Sequence, residues 1–323
     1  MTKAIVVRKT GGPGVMKWET VDVGKPKKGE LRIRQTAVGL NFFDIYIRSG
    51  LYPSKPPLIL GGEGAGVVTA VGAGVKGFRV GDHVAYAGAQ GSYAEERLIP
   101  ASAVVKVPKG ISDRQAAAMM LKGMTACMLL REVYKVKKGD TIVIHAAAGG
   151  VGSIMTQWAR HLGATVIGTV GSNAKAKLAK RNGCHHVLVL GKQGIAKRVR
   201  KITKGKGVPV VYDSIGKNTW RDSIDCLQPH GLLVNFGNAS GPMPPVDPMI
   251  LMNNGSLYVT RPTLRDYSST PATRNALARQ LFSVVKSGKV KIRIDQTYPL
   301  KDAAKAHRDL AARKTTGSTV LLP

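Results

Sequence analysis

Along the first third of the chain, short apolar runs alternate with glycine- and proline-rich breaks: Ala4–Val7, Leu31–Val38, Gly66–Val71, His83–Ala87 and Ala103–Val107. β-branched segments of this length between Gly-Pro or Gly-Asp breaks read as strands separated by turns, and their succession predicts a barrel-like β domain. Between Gln115 and Tyr134 the period changes to a helical one, with Ala116–Ala118 followed by Met120, Met124 and Met128 four residues apart. That methionine stripe reads as core packing at the passage between two domains.

From Asp140 onward, strands and helices alternate. Strands are expected at Thr141–His145, Thr165–Val170, His186–Leu190, Pro209–Tyr212, Leu232–Phe236 and Leu257–Thr260. Helices are expected at Val151–Leu162, Ala174–Asn182, Ile195–Ile202 and Thr219–Leu227. Such alternation implies a doubly wound parallel sheet. Two further helices, Asn275–Val285 and Asp302–Ala312, precede the apolar Val320–Leu322, which is expected to return to the first domain.

A chain of 323 residues accommodates two domains, and 43% hydrophobic residues place it among globular proteins rather than disordered ones. No run approaches the roughly 20 apolar residues of a membrane helix, and no signal peptide is apparent at the start. Cys127, Cys184 and Cys226 are scattered without a CxxC pair, which fits a reducing, cytoplasmic setting.

Charge changes the picture more. The chain carries 49 basic and 19 acidic residues, a net +30 with a pI near 10.3. No Asp or Glu occurs from Thr141 to Tyr212, a stretch that holds Lys175, Lys177, Lys180, Arg181, Lys197, Arg198, Arg200 and Lys201. One reading is non-specific attraction of nucleic acid to a basic surface. The other is a solvated, even resurfaced, basic exterior. Without interleaved aromatics or an RNA-binding signature, the second is preferred.

The central motif is His145-Ala-Ala-Ala-Gly-Gly-Val-Gly152, between a β-branched strand and an amphipathic helix. Ala147, Gly149 and Gly152 fill the three positions of a GxGxxG fingerprint, and the βαβ context makes the match specific. Gly149, Gly150 and Val151 would bring backbone N–H groups and the positive helix end to a pyrophosphate, while Gly152 lets helix and strand pack closely. Ala147 departs from the pattern, so the turn must tolerate a methyl group.

Coenzyme choice is read about 20 residues further on, where NAD-binding chains place an acid on the ribose hydroxyls. Here the second strand ends in Gly171-Ser172-Asn173-Ala174-Lys175, with no carboxylate to repel a 2′-phosphate. Ser172 supplies a hydrogen bond and Lys175 a charge, so NADPH is favoured over NADH.

Several further segments occur in family order from end to end: Val38–Asp44, Ile47–Pro53, Gly61–Val68, Val211–Gly216, Asn235–Gly241 and Ser256–Pro262. With the glycine motif, the chain resembles the zinc-independent, zeta-crystallin-like quinone oxidoreductase branch of the medium-chain dehydrogenase/reductase superfamily. Zinc-containing relatives place a cysteine where Asn41 stands, a histidine where Gly62 stands, and an additional four-cysteine lobe. None is present, so no metal is expected.

The resemblance implies an α/β fold in which a GroES-like β-barrel catalytic domain, residues 1–125 and 264–323, joins a Rossmann doubly wound parallel-sheet nucleotide-binding domain, residues 126–263. It implies catalysis in the cleft between them and a homodimer through the sheet edge near Gly255–Arg261, opposed by the repulsion of two +30 protomers. It also implies an NADPH-dependent quinone oxidoreductase. The alternatives are an NADPH-dependent enone or alkenal reductase, and a cofactor-binding protein with an RNA-binding or structural role. By the same resemblance, Asn41 contacts the nicotinamide region. Tyr52, ahead of Tyr46, donates to the reduced oxygen, and Asp44 orients its neighbours. Thr125 lies near the nicotinamide, and Ser214, Phe236, Gly237, Asn238 and Ser240 border the dinucleotide groove. Arg261 contacts phosphate or holds the interface. Many relatives carry a tyrosine after the third strand of this domain, where this chain has Leu190.

Overall fold

The computed structural model describes residues 1–191 and 194–323, and they cluster into two compact units. The first comprises Met1–Met124, Ser268–Lys286 and Ile292–Pro323. The second comprises Thr125–Tyr267 and Ser287–Lys291.

The first unit opens with β1 (Thr2–Val7), β2 (Met16–Val21), β3 (Glu30–Leu40), α1 (Phe42–Ser49), β4 (Leu58–Ile59), β5 (Glu63–Val71), β6 (His83–Ala87), β7 (Glu96–Pro100), β8 (Val105–Lys106) and most of α2 (Asp113–Met128). β1 pairs with β2 and β4, and the long strand β3 pairs with β5 and β7. Inward residues Leu31, Ile33, Val68, Val84, Tyr86 and Ile99 form one core, each of the aliphatic ones worth about 1.5–3 kcal/mol on full burial.

α1 was not among the expected elements. Phe-Phe-Asp-Ile-Tyr-Ile is aromatic and β-branched, a strand-like composition. The carboxylate of Asp44 accepts the N–H of Asn41 at the helix start, and Gly50, at φ +83°, closes its end. β2, β4 and β7 were likewise not anticipated. The strand expected over Ala103–Val107 shrinks to two residues after a 3₁₀ turn at Ala101–Ala103.

In the second unit come β9 (Thr141–Ile144), α3 (Gly150–His161), β10 (Thr165–Val170), α4 (Asn173–Arg181), β11 (His186–Val189), α5 (Ile195–Ile202), β12 (Val208–Asp213), α6 (Trp220–Asp225), β13 (Leu227–Asn235), α7 (Pro248–Asn253), β14 (Tyr258–Thr260) and α8 (Leu264–Tyr267). Six parallel strands run in the order β11-β10-β9-β12-β13-β14. The order reverses between β9 and β12, the switch point at which open α/β sheets bind ligands.

The chain then rejoins the first unit with α9 (Pro271–Lys286), β15 (Ile294–Pro299), α10 (Ala303–Ala311) and β16 (Ser318–Leu322). β16 pairs antiparallel with β3, Val320 opposite Gly39, as expected for the apolar chain end. Met120, Met124 and Met128 are all buried, in keeping with the packing reading.

Candidate functional site

The glycine motif forms the turn from β9 into α3. Ala146 sits at φ +51°, the left-handed region that L-residues avoid, and its carbonyl accepts the N–H of Gly149 at 2.8 Å. A Cβ on Gly152 would lie 2.3 Å from that carbonyl oxygen, so only glycine lets α3 start this close to the turn. The N–H groups of Gly150, Val151 and Gly152, in the first turn of α3, have no carbonyl partner within the helix, the arrangement with which a helix start can receive an anion. The methyl of Ala147 is accommodated across the sheet by Gly168 of β10, where an added Cβ would lie 2.7 Å from it.

Beneath the turn, buried polar groups tie three strand ends together. His145 Nδ1 lies 2.8 Å from Thr169 Oγ1, and its Nε2 lies 3.0 Å from Ser223 Oγ. Burial lowers the pKa of His145 and keeps the ring neutral. Asp213, at the end of β12, accepts the N–H groups of Ile215 and Gly216 and the Thr219 hydroxyl.

At the end of β10, Gly171 is exposed and Ser172 caps α4, its Oγ accepting the Lys175 N–H at 3.3 Å. That bond leaves the hydroxyl proton of Ser172 to donate elsewhere. Lys175 is half-buried one turn into the helix, and Leu190 packs against the core of this unit.

The loops after β12 and β13 are zipped together. Ala239 N–H donates to Ser214 O and Ser240 N–H to Ile215 O, while Ser240 Oγ accepts the Asn218 N–H and donates to Ile215 O. Phe236 N–H donates to Asp213 O and Gly241 N–H to Asn238 O. Arg261 reaches across from β14 to Asn235 Oδ1 and to Gly237 O, which places its guanidinium over the end of β13. Thr125, the first residue of this unit, is half-buried on α2.

In the first unit, Asn41, Asp44, Tyr46 and Tyr52 lie on α1 and its flanks as two contacting pairs, Asn41 with Asp44 and Tyr46 with Tyr52. The rings of Tyr46 and Tyr52 are 5.2 Å apart, Phe43 lies 5.9 Å from Tyr52, and the Tyr52 N–H donates to Tyr46 O. Asn41 is held from two sides: its backbone N–H donates to Asp44 Oδ2 at 2.9 Å, and its side-chain amide donates to Glu63 Oε2 at 2.9 Å. Glu63 also accepts Lys122 Nζ at 2.8 Å and the Leu121 N–H at 2.7 Å, a buried ion pair with its remaining valences filled.

Asp44 is fully buried, and its other oxygen accepts the Gly62 N–H at 3.1 Å. Burial pushes its carboxyl up to about 7, against the opposing pull of Asn41 N–H, Tyr93 OH and Lys122. Glu63, Lys122, Tyr93 and His307 were absent from the expected site. Their partners lie 22 or more residues away in sequence: Asn41 and Glu63 are 22 apart, Asp44 and Tyr93 49, Glu63 and Lys122 59, Tyr93 and His307 214.

Among the described residues, no group of three or more His, Cys, Asp or Glu could hold a metal ion. Gly62 faces Phe43 and Gln90, and His83 instead pairs with Asp113 at 2.9 Å. A separate cavity of about 580 Å³, lined by Phe78, Val105, Lys106, Ala278 and Phe282 among others, contains none of the expected residues.

Two domain families match the chain: the alcohol dehydrogenase GroES-like domain over residues 27–109 and the zinc-binding dehydrogenase over residues 150–278. A quinone oxidoreductase of Pseudomonas aeruginosa is 50% identical, with all of both chains covered. A 2-haloacrylate reductase of a Burkholderia species is 47% identical over all of this chain and 99% of its own. The crystal structure of Escherichia coli quinone oxidoreductase complexed with NADPH superposes with a TM-score of 0.97 at 45% identity, covering 99% of this chain and 100% of the other.

A GroES-like β unit joined to a doubly wound sheet with a small-residue dinucleotide turn defines a medium-chain dehydrogenase/reductase. Within that superfamily, the chain belongs to the quinone oxidoreductase family.

Proposed function

We propose that this protein is an NADPH-dependent quinone oxidoreductase that works without zinc. The observation that carries the reading is the turn at Ala146–Gly152, where the Gly152 contact holds the start of α3 open to a pyrophosphate, combined with the acid-free end of β10.

The residues present fit the coenzyme. The backbone of Ala147–Gly152 would hold the pyrophosphate, and Gly171, Ser172 and Lys175 the 2′-phosphate. Ser214, Phe236, Gly237, Asn238 and Ser240 would border the groove, and Arg261, whose guanidinium donates to Asn235 and Gly237, would contact phosphate or hold the subunit interface. Thr125 and Asn41 would flank the nicotinamide. When bound, NADPH supplies the hydride.

The protein's own groups bind, align and donate a proton. Glu63 takes up the amide nitrogen of Asn41 and so fixes the orientation of that side chain. Tyr52, or next Tyr46, donates its phenol hydrogen to the oxygen that gains charge as the acceptor is reduced, a contribution made in the transition state. Asp44 orients the helix start and, being fully buried, does not reach the acceptor.

An enone-type acceptor is the competing reading, supported by the 2-haloacrylate reductase relative. NADPH oxidation with 1,4-benzoquinone, 9,10-phenanthrenequinone and an alkenal, at two salt concentrations, separates the two. Faster turnover of the quinones is expected, and turnover of the alkenal alone would replace the quinone reading.

A homodimer through β14 is consistent with that strand's edge position and with exposed Tyr258, Met249 and Met252 beside it. Buried, unpaired Cys127, Cys184 and Cys226 accord with a cytoplasmic setting, and the +30 charge with salt-sensitive, non-specific attraction of polyanions.

A further inference from the structure

The chemistry just proposed leaves unused a buried chain of polar groups in the first unit. Arg48 NH1 lies 3.0 Å from His307 Nδ1, His307 Nε2 lies 3.0 Å from Tyr93 OH, and Tyr93 OH lies 3.1 Å from Asp44 Oδ2. Arg48 is further tied to Gly11 O by its Nε at 3.1 Å.

The hydrogens in this chain have one consistent arrangement. A guanidinium only donates, so His307 Nδ1 accepts. Burial and the nearby Arg48 charge bring His307 down to about 3, so the ring is neutral and carries its single proton on Nε2. Nε2–H then donates to the Tyr93 oxygen, and the Tyr93 hydroxyl is left to donate to Asp44. Desolvation raises Tyr93 well above an ordinary phenol, so it stays protonated.

The chain therefore joins a cation and an anion that stand one turn apart on α1, using two residues from remote segments: Tyr93 before β7 and His307 on α10. Arg48 and His307 are buried, and the His307 and Tyr93 rings meet edge to face at 5.7 Å. Groups of this polarity are retained in a barrel core only when all are satisfied.

We infer that Tyr93 and His307 are positioning residues that fix Asp44 as the anchor of the α1 N-terminus and so set where Asn41 is presented. The role in turnover rests on the proposed placement of Asn41 beside the nicotinamide. The anchoring itself does not.

Asp44 is faced by Tyr93, by Glu63 from β5, by Lys122 from α2, and by the N–H groups of Asn41 and Gly62. Tyr93 and Lys122 favour the carboxylate, while burial and Glu63 oppose it. Without the Tyr93 hydroxyl, Asp44 takes up a proton at higher pH, and as a neutral acid it holds the Asn41 N–H less tightly.

The test compares Tyr93→Phe, His307→Leu and His307→Gln with the parent. Glutamine can donate to Tyr93 and accept from Arg48, so it is the rescuing variant. With NADPH and 1,4-benzoquinone, Tyr93→Phe and His307→Leu should lower kcat on the order of tenfold near neutral pH and move its acid limb up by about one pH unit, whereas His307→Gln keeps the parent profile. Loss by the same factor at every pH, with the limb unmoved, overturns the inference.

A second measurement needs neither coenzyme nor turnover. The Tm difference between the parent and Tyr93→Phe should widen as pH rises through about 7, and a constant difference overturns the anchoring role. If the parent turns over no quinone, the functional proposal fails while this series still decides the inference. If His307→Leu does not fold, Tyr93→Phe carries both tests.

Discussion

Replacing Gly152 with alanine adds one methyl where the structure has no room. Its carbon would stand 2.3 Å from the Ala146 carbonyl oxygen, 2.9 Å from that carbonyl carbon and 2.9 Å from Ala147 Cα. All three are backbone atoms of a turn already strained at Ala146, so no side chain can swing away, and α3 must move off β9. Overpacking of this kind costs about 1–3 kcal/mol. If the displacement appears mainly as lost contact between α3 N–H groups and pyrophosphate, affinity for NADPH falls about 5- to 150-fold, at about 1.4 kcal/mol per factor of ten. Fluorescence titration with NADPH measures this loss, and a thermal melt of the same samples separates it from unfolding. Gly194→Ala is the control, because among the described residues nothing lies within 4 Å of its added Cβ and it caps α5 outside the proposed site. Binding by Gly152→Ala within twofold of the parent would show that the turn does not carry the coenzyme.

Three further perturbations have defined outcomes. Lys122→Met leaves Glu63 as a buried carboxylate without its cation and should cost about 3–5 kcal/mol in urea denaturation, most of it recovered by adding Glu63→Gln. His307 is held at about 3 when folded against an ordinary 6.5, so the stability from its neutral form is fully present above 6.5 and is lost as pH falls toward 3. Between pH 6.5 and pH 5 the parent should therefore lose about 2 kcal/mol more than His307→Gln, and parallel denaturation curves would contradict this. Tyr52→Phe should lower kcat about 100-fold with KM for NADPH unchanged, and Tyr46→Phe less, as steady-state kinetics will show.

The two units were unequally legible in the sequence. Thr165–Val170 and Ile195–Ile202 fall where expected because a buried parallel strand is an unbroken β-branched run and its helices carry a one-sided apolar stripe between glycines. β2 and β7 were missed because they are only partly buried and lack a clean alternation. α1 was missed because its helical start depends on the Asn41–Asp44 contact, which outweighs an aromatic, β-branched composition.

The candidate site divides along similar lines. The dinucleotide turn is a local pattern of small residues and could be read from one sequence. That Asn41 and Asp44 are clamped by Glu63, Lys122, Tyr93 and His307 could not, since periodicity has no reach across 22 to 263 residues of chain. The one nearby signal was the pair Asn41 and Asp44 at capping distance. The methyl of Ala147, an exception in the motif, finds its reason in Gly168, which lies on the neighbouring strand.

The most direct test of the account is the quinone-dependent oxidation of NADPH and of NADH, compared as kcat/KM with 1,4-benzoquinone at one fixed ionic strength. The acid-free end of β10, with Ser172 and Lys175 beside it, predicts turnover with NADPH at least about tenfold more efficient, the equivalent of one charge-assisted contact to the 2′-phosphate. Equal efficiency with both coenzymes, or none with either in a folded protein, would contradict it.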